Sequence, residues 1–339
     1  MLIFFFCYKI KEKNSLLKSP YFWLSVVTFT LLVGLRFNVG NDYNTYLMHL
    51  TYGYGVDRLE PFSRYTMEYF LANKIWPHYW FMLCAAIQIF FFLLGLKDLK
   101  KLMPYVYFFF MFYFLSFYIS GIRQANAISC VFFAFSFIKE RKLIPYLILI
   151  LFAFLNHKSA LLALPVYWIF NLDVFFSRKV QLIIILIGFF VGQTIVSYLI
   201  ENYGYYLSIF GYDYLSSQIK DNEMKVEIES GWGMLFNYIV YLVVVAYSKK
   251  LHAYFKDKNF TIFYNLFLFS VFAYGFTMQD QYLARIMGFF RMGIPVVLAY
   301  TTYYFVSRKD FSIIWFPILA AFLFLEVYKW SSDKWFFCF

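Results

Sequence analysis

The chain has 339 residues, of which 63% are hydrophobic, 26% aromatic and only 14% charged. Soluble domains carry about 45–50% apolar and about 25% charged residues, so a soluble globular domain is excluded and a multi-span membrane protein is expected. The formal charge of +11 does not call for a nucleic-acid partner, because loop topology in a membrane protein produces the same excess.

A chain crossing lipid must satisfy its backbone hydrogen bonds within each span or in a closed barrel. The apolar runs here are long and continuous, unlike the short alternating segments of a barrel. The first ten residues, MLIFFFCYKI, are apolar but too short for a core of about 30 Å, and they read as the tail of a truncated span or as an interfacial stub. No charged segment, apolar core and small-residue cleavage site follow one another as in a signal peptide. Spans are then expected at roughly 20–36, 76–96, 103–121, 122–138, 143–156, 159–170, 180–200, 232–248, 260–278, 284–305 and 311–328. The expected fold is all-α: a polytopic membrane helical bundle of about 11 transmembrane helices, or 12 with the truncated first span, forming a single integral membrane domain over residues 1–339.

Charge alternates between the connecting segments. Basic clusters stand at Lys9–Lys18, Lys97–Lys101, Lys139–Lys142, Arg178–Lys179, Lys249–Lys258 and Arg308–Lys309. The connecting segments that carry these clusters hold 18 of the 30 basic and, with Asp173 and Asp310, 6 of the 19 acidic residues, a net +12, which leaves −1 on the other side. The positive-inside rule assigns the clusters to the cytoplasm. Residues 143–170 hold two short runs split by Asn156, His157 and Lys158. Read as one span they would turn every later cluster outward, so a hairpin of two half-length, tilted or shielded helices is expected.

Two outer loops follow. Residues 37–75 contain an expected amphipathic helix, opened by Pro61, with Phe62, Tyr65, Tyr69 and Ala72 at helical spacing. Residues 201–231 form an acidic outer loop with tyrosines that could stack on sugar faces.

Arginine is the residue to explain on the outer side. Six of the twelve outer basic residues are arginines, whereas the cytoplasmic clusters are mostly lysine. The planar guanidinium fork suits phosphate or carboxylate and stays ionised when partly buried. Arg291, between GFF and MGIPVVLAY, is expected six or seven residues inside a span, roughly 10 Å deep, where an arginine on an isolated helix is costly. The alternative is a span that begins later, or an arginine paired to a carboxylate. Arg123 opens a helix after Gly121, with Gln124 and Asn126 beside it. A helix N-terminus favours an anion; an interfacial anchor is the alternative. Arg285 opens its span and is either a ligand or an anchor, and Arg58 and Arg64 lie on the surface helix.

His157 can act as base or hydrogen-bond a phosphate, or simply cap a helix end. Asp42 could orient Arg36, act as base toward a sugar hydroxyl, or form a turn after Gly40 and Asn41. Glu60, before Pro61, is placed to cap a helix. Cys84 and Cys130 sit in apolar runs, and no Cys/His spacing suggests a metal site or a disulfide framework. Hydrolase, Walker and zinc motifs are absent, so no cofactor is expected. Few charges lie in mid-span, which argues against an ion-coupled transporter.

The arginine-bearing segments carry a resemblance. GLRFNVGNDYNTY, residues 34–46, resembles the GLR–x–x–VG–x–DY–x–x–Y signature of the EpsG family, bacterial multi-span relatives of Wzy-type polysaccharide polymerases. EPF at 60–62 is similar to its Glu–Pro–x–Phe region. Residues 121–168 resemble its second signature, an IRQ-type helix, a basic turn, and a helix ending in histidine and Ser-Ala.

The resemblance implies a metal-independent glycosyltransferase of the bacterial cytoplasmic membrane. Such an enzyme joins oligosaccharide units carried on undecaprenyl pyrophosphate, on the outer face, into exopolysaccharide, capsule or O-antigen. It implies membrane lipid and other polysaccharide-assembly membrane proteins as partners. Family motifs carry functional roles to Arg36, Asp42, Arg123 and His157. In this reading Arg36, Arg123, Arg285 and Arg291 bind pyrophosphate, and Asp42 and His157 are catalytic, orienting or deprotonating the acceptor. Two alternatives stand: a ligase moving finished glycan, and a flippase with cations at several depths of a cavity.

Overall fold

The structure, a computed structural model, describes residues 1–10, 15–209, 232–277, 287–308 and 315–332. Its described residues form helices and no strand. The chain divides into two compact units. One comprises residues 1–173, 298–311 and 323–339; the other comprises 174–297 and 312–322.

In the first unit, α1 (Leu2–Lys9), α2 (Pro20–Gly34), α3 (Tyr43–Tyr52), α4 (Pro61–Ala72), α5 (Pro77–Gly95), α6 (Met103–Ser120), α7 (Ile122–Lys139) and α8 (Leu143–Asn156) follow in order. Prolines open α2, α4 and α5, where the missing N–H costs nothing. Helix α7 is the buried centre, with Ile122, Ala125, Ile128, Val131, Phe132, Phe135 and Ile138 all inside. It packs against α5, α6 and α8, and α5 packs against α2. The outward faces are apolar too. Leu24, Val27, Leu31 and Leu32 of α2, and Ile144, Ile148 and Leu151 of α8, are exposed. A helix that is apolar all round belongs in a bundle facing lipid.

The ends of this bundle differ chemically. At one end Lys97 and Lys142 lie 3.2 and 2.7 Å from Glu140, which joins two basic clusters. The hydrogen bond from Lys142 holds the Glu140 carboxyl below its usual range. At the other end stand Arg36 and Arg123. The 19 residues of α5 separate the two ends by about 28 Å at 1.5 Å per residue, close to a bilayer core.

The second unit contains α9 (Arg178–Ile209), α10 (Trp232–Phe255), α11 (Lys258–Thr277), α12 (Gly288–Arg291) and the start of α13 (Gly293–Arg308); α14 (Trp315–Ser332) follows. Helices α9 and α11 approach closely: a Cβ on Gly188 would stand 2.6 Å from the carbonyl oxygen of Phe272. Tyr264 donates to Oε1 of Gln181 (2.8 Å), and Ser270 donates to the carbonyl of Phe290 (2.6 Å).

Several expectations change. Only α5 and α6, among the described residues, are both long and apolar enough to cross a membrane by length and composition. The helical fold therefore stands while the count of eleven spans is not established. The run 159–170 is not one helix: a 3-10 stretch, Lys158–Ala163, precedes Pro165 and a short helix, Val166–Ile169. The span drawn at 20–36 stops at Gly34, so Arg36 lies beyond it. Residues 201–209 continue α9 as helix, and the rest of the acidic 201–231 segment lies outside the described residues.

Arg291 does not lie within one continuous helix. It closes the four-residue α12, and α13 begins only at Gly293. The chain is tightly packed beside the break: a Cβ on Gly293 would sit 2.6 Å from the backbone nitrogen of Phe267. The sequence reads as one apolar run across this break.

Candidate functional site

The stretch after α2 is built around Arg36, which is only 9% exposed. Its Nη1 donates to the carbonyl of Val33 (2.5 Å), Nε to that of Val39 (3.1 Å) and Nη2 to that of Ile119 (2.9 Å). The guanidinium also lies 4.9 Å from the ring of Phe81. It caps the end of α2, closes the loop that follows, and ties both to the end of α6. Burial lowers Arg36 to about 10, so it remains charged at neutral pH. The expected partner Asp42 does not pair with it among the described residues; three carbonyls orient Arg36 instead.

Two glycines make this possible. A Cβ on Gly34 would stand 2.6 Å from Cα of Met82, so the close approach of α2 to α5 at this point requires glycine. Gly40 has φ +101°, and its Cβ would stand 2.9 Å from the carbonyl oxygen of Ile119, the oxygen that Arg36 holds. Gly40→Ala is expected to cost about 1–2 kcal/mol from backbone conformation alone, with more from this contact. The check is the thermal midpoint of the purified protein in detergent. An unchanged midpoint would show that the loop can move aside.

Asp42 is the N-cap residue of α3 without a side-chain cap bond. One turn later Tyr46 is buried and receives the Nε donor of Arg123 at 3.4 Å. Burial raises the Tyr46 phenol above its ordinary range, against the opposing pull of Arg123. Arg123, in the first turn of α7, pairs through Nη1 with the carboxylate of Glu60. The Glu60 side chain is 9% exposed and that of Arg123 27%. Beneath them, Tyr43, Tyr46, Leu50, Met67, Trp80 and Ile122 form an apolar floor.

His157 joins the same end through α8. Asn126, one turn into α7 from Arg123, hydrogen-bonds Asn156 at 3.1 Å, and Asn156 precedes His157. Phe62 of α4 meets Phe152 of α8 with ring centres 6.0 Å apart. His157 caps the 3-10 stretch: its Nδ1 accepts from the Ser159 N–H (3.4 Å) and lies 2.6 Å from the Ser159 hydroxyl.

The structure thus brings Arg36, Asp42, Arg123 and His157 to one end of the first unit. Arg291 belongs to the second unit, and Arg285 lies outside the described residues. Among the described residues Arg58 and Arg64 are not drawn into the cluster; the Arg64 guanidinium donates to the Tyr65 hydroxyl and lies over its ring. Sequence reasoning gave Glu60 only a capping role and passed over Tyr46, although Tyr46 is the last residue of the DY–x–x–Y pattern. Cys7, Cys84 and Cys130 are free and buried. Among the described residues no three of His, Cys, Asp and Glu group as a metal site.

A buried arginine end, sealed from below by aromatic rings, can hold an anion where low dielectric strengthens the interaction. Comparison with known proteins gives one finding: the family model of the EpsG family matches residues 19–339. No curated protein and no solved structure matches the chain.

Proposed function

The chain belongs to the EpsG family, and from that premise we propose that it is a membrane polysaccharide polymerase acting on undecaprenyl-pyrophosphate-linked oligosaccharides. Membership supports a polysaccharide-polymerase-like function in a membrane protein. The finer reading places the reaction at the outer face of the bacterial cytoplasmic membrane.

The observation that carries it is Arg123, a guanidinium at a helix start that pairs with Glu60 and Tyr46 and keeps a partly exposed side chain. An acceptor hydroxyl attacks the anomeric carbon of the lipid-linked chain, and undecaprenyl pyrophosphate departs. Charge develops on the leaving pyrophosphate, and a preorganised guanidinium lowers that barrier. The lipid pyrophosphate already activates the sugar, so no nucleotide site is needed. Asp42 and His157 are acceptor-side residues in this reading. The Nδ1 of His157 is engaged by Ser159. In the first unit Arg36 and Arg123 stand at one end, away from the Lys97–Glu140–Lys142 cluster, which supports an enzyme over a flippase with cations along its depth.

Purified protein in liposomes, given lipid-linked repeat units and EDTA but no nucleotide sugar, is expected to build a ladder of longer chains. Products no longer than one unit, or a ladder that appears only with nucleotide sugar, would overturn the proposal.

A further inference from the structure

Glu60 is a carboxylate held where a surface acid is not expected. It is 8% exposed, and although it occupies the N-cap position of α4 its side chain makes no cap bond. It is committed to Arg123, the same guanidinium that the polymerase reading assigns to pyrophosphate. A pyrophosphate brings more negative charge to that fork than one carboxylate does. The two anions therefore compete for one cation.

The acceptor-side residues are less suited to take a proton. The Nδ1 of His157 is engaged by Ser159, whose N–H lies at 3.4 Å and hydroxyl at 2.6 Å, so that nitrogen is already occupied. Asp42 pairs with no arginine among the described residues, whereas Glu60 pairs with Arg123 directly.

We infer that Glu60 is the general base of the reaction, released from Arg123 when the donor's pyrophosphate arrives. The inference rests on the polymerase reading. In the step, the acceptor O–H bond breaks and its proton passes to the Glu60 carboxylate. The acceptor oxygen bonds to the anomeric carbon, and the bond from that carbon to the pyrophosphate oxygen breaks. The electron pair leaves on undecaprenyl pyrophosphate, whose charge Arg123 neutralises. Glu60 then returns its proton to solvent and pairs with Arg123 again.

The test uses the full chain, with inorganic pyrophosphate as the binding probe. Glu60→Gln is expected to lower turnover at saturating lipid-linked substrate by about 100-fold or more. The same variant is expected to bind pyrophosphate severalfold tighter, because the competing carboxylate is gone. If Glu60 only positions Arg123, Glu60→Gln weakens pyrophosphate binding, and that result overturns the inference. Near-wild-type turnover in Glu60→Gln overturns it equally. Should Glu60→Gln fold poorly, Glu60→Asp keeps a base one methylene short. It is expected to retain binding with partly reduced turnover, and weakened binding with unchanged turnover would overturn the inference. A wild-type protein that makes no polymer defeats the polymerase reading instead, and the pyrophosphate comparison still judges the exchange at Arg123.

Discussion

Arg123→Ala, in a host lacking the native copy, is expected to leave lipid-linked single repeat units and no polymer ladder. Removing one preorganised donor to a developing anion costs about 100- to 1,000-fold in rate, about 2.7–4 kcal/mol. Arg123 also neutralises the buried Glu60, and breaking a buried pair from one side is destabilising in its own right. The double variant Arg123→Ala/Glu60→Gln removes both charges and so isolates the stability effect, read as protein abundance. It is expected to recover protein abundance without recovering the ladder. Arg123→Lys keeps the charge but not the planar fork, and it should fall between wild type and alanine. A ladder of unchanged length distribution in Arg123→Ala, at normal abundance, would sink the assignment of Arg123 to pyrophosphate.

Arg36→Ala is expected to fail differently, through loss of the folded protein. Its three donors hold the carbonyls of Val33, Val39 and Ile119 inside the bundle. Each buried acceptor left without a donor costs about 1–3 kcal/mol, so the total reaches several kcal/mol. That is a large share of the ~5–15 kcal/mol that stabilises a typical domain. Arg36→Lys should not rescue it, since one ammonium cannot span three carbonyls in a fixed fork. Membrane abundance and the thermal midpoint in detergent provide the check. Normal values for both, with activity alone lost, would make Arg36 a substrate ligand and overturn the clamp.

These two arginines look alike in the sequence and differ in what they touch. Both stood out because positive charge is scarce at the outer ends of the spans. That much follows from composition and topology, as do the long helices, whose apolar runs are continuous. Their partners did not stand out. Glu60 lies 63 residues before Arg123, and Ile119 lies 83 residues after Arg36. Side-chain periodicity carries no information at such separations. The continuous helix drawn through Arg291 is divided for a related reason. Hydropathy reads GFFRMGIPVV as one run, while the helix breaks at Met292, beside the close approach of Gly293 to the backbone of Phe267. Likewise the run after His157 is apolar enough for a span, but an extended residue at 157, a 3-10 stretch and Pro165 divide it.

Gly34 answers to Met82, Arg36 and Gly40 both answer to the carbonyl of Ile119, and the backbone N–H of Asn41 answers to the Ser120 hydroxyl. Their tolerance to change is therefore joint. Random mutagenesis of the stretch should find few viable single exchanges and strong epistasis between it and positions 119–120. A chimera that imports residues 33–43 alone inherits the letters without the clamp; the unit to transplant is the stretch together with the turn between α6 and α7.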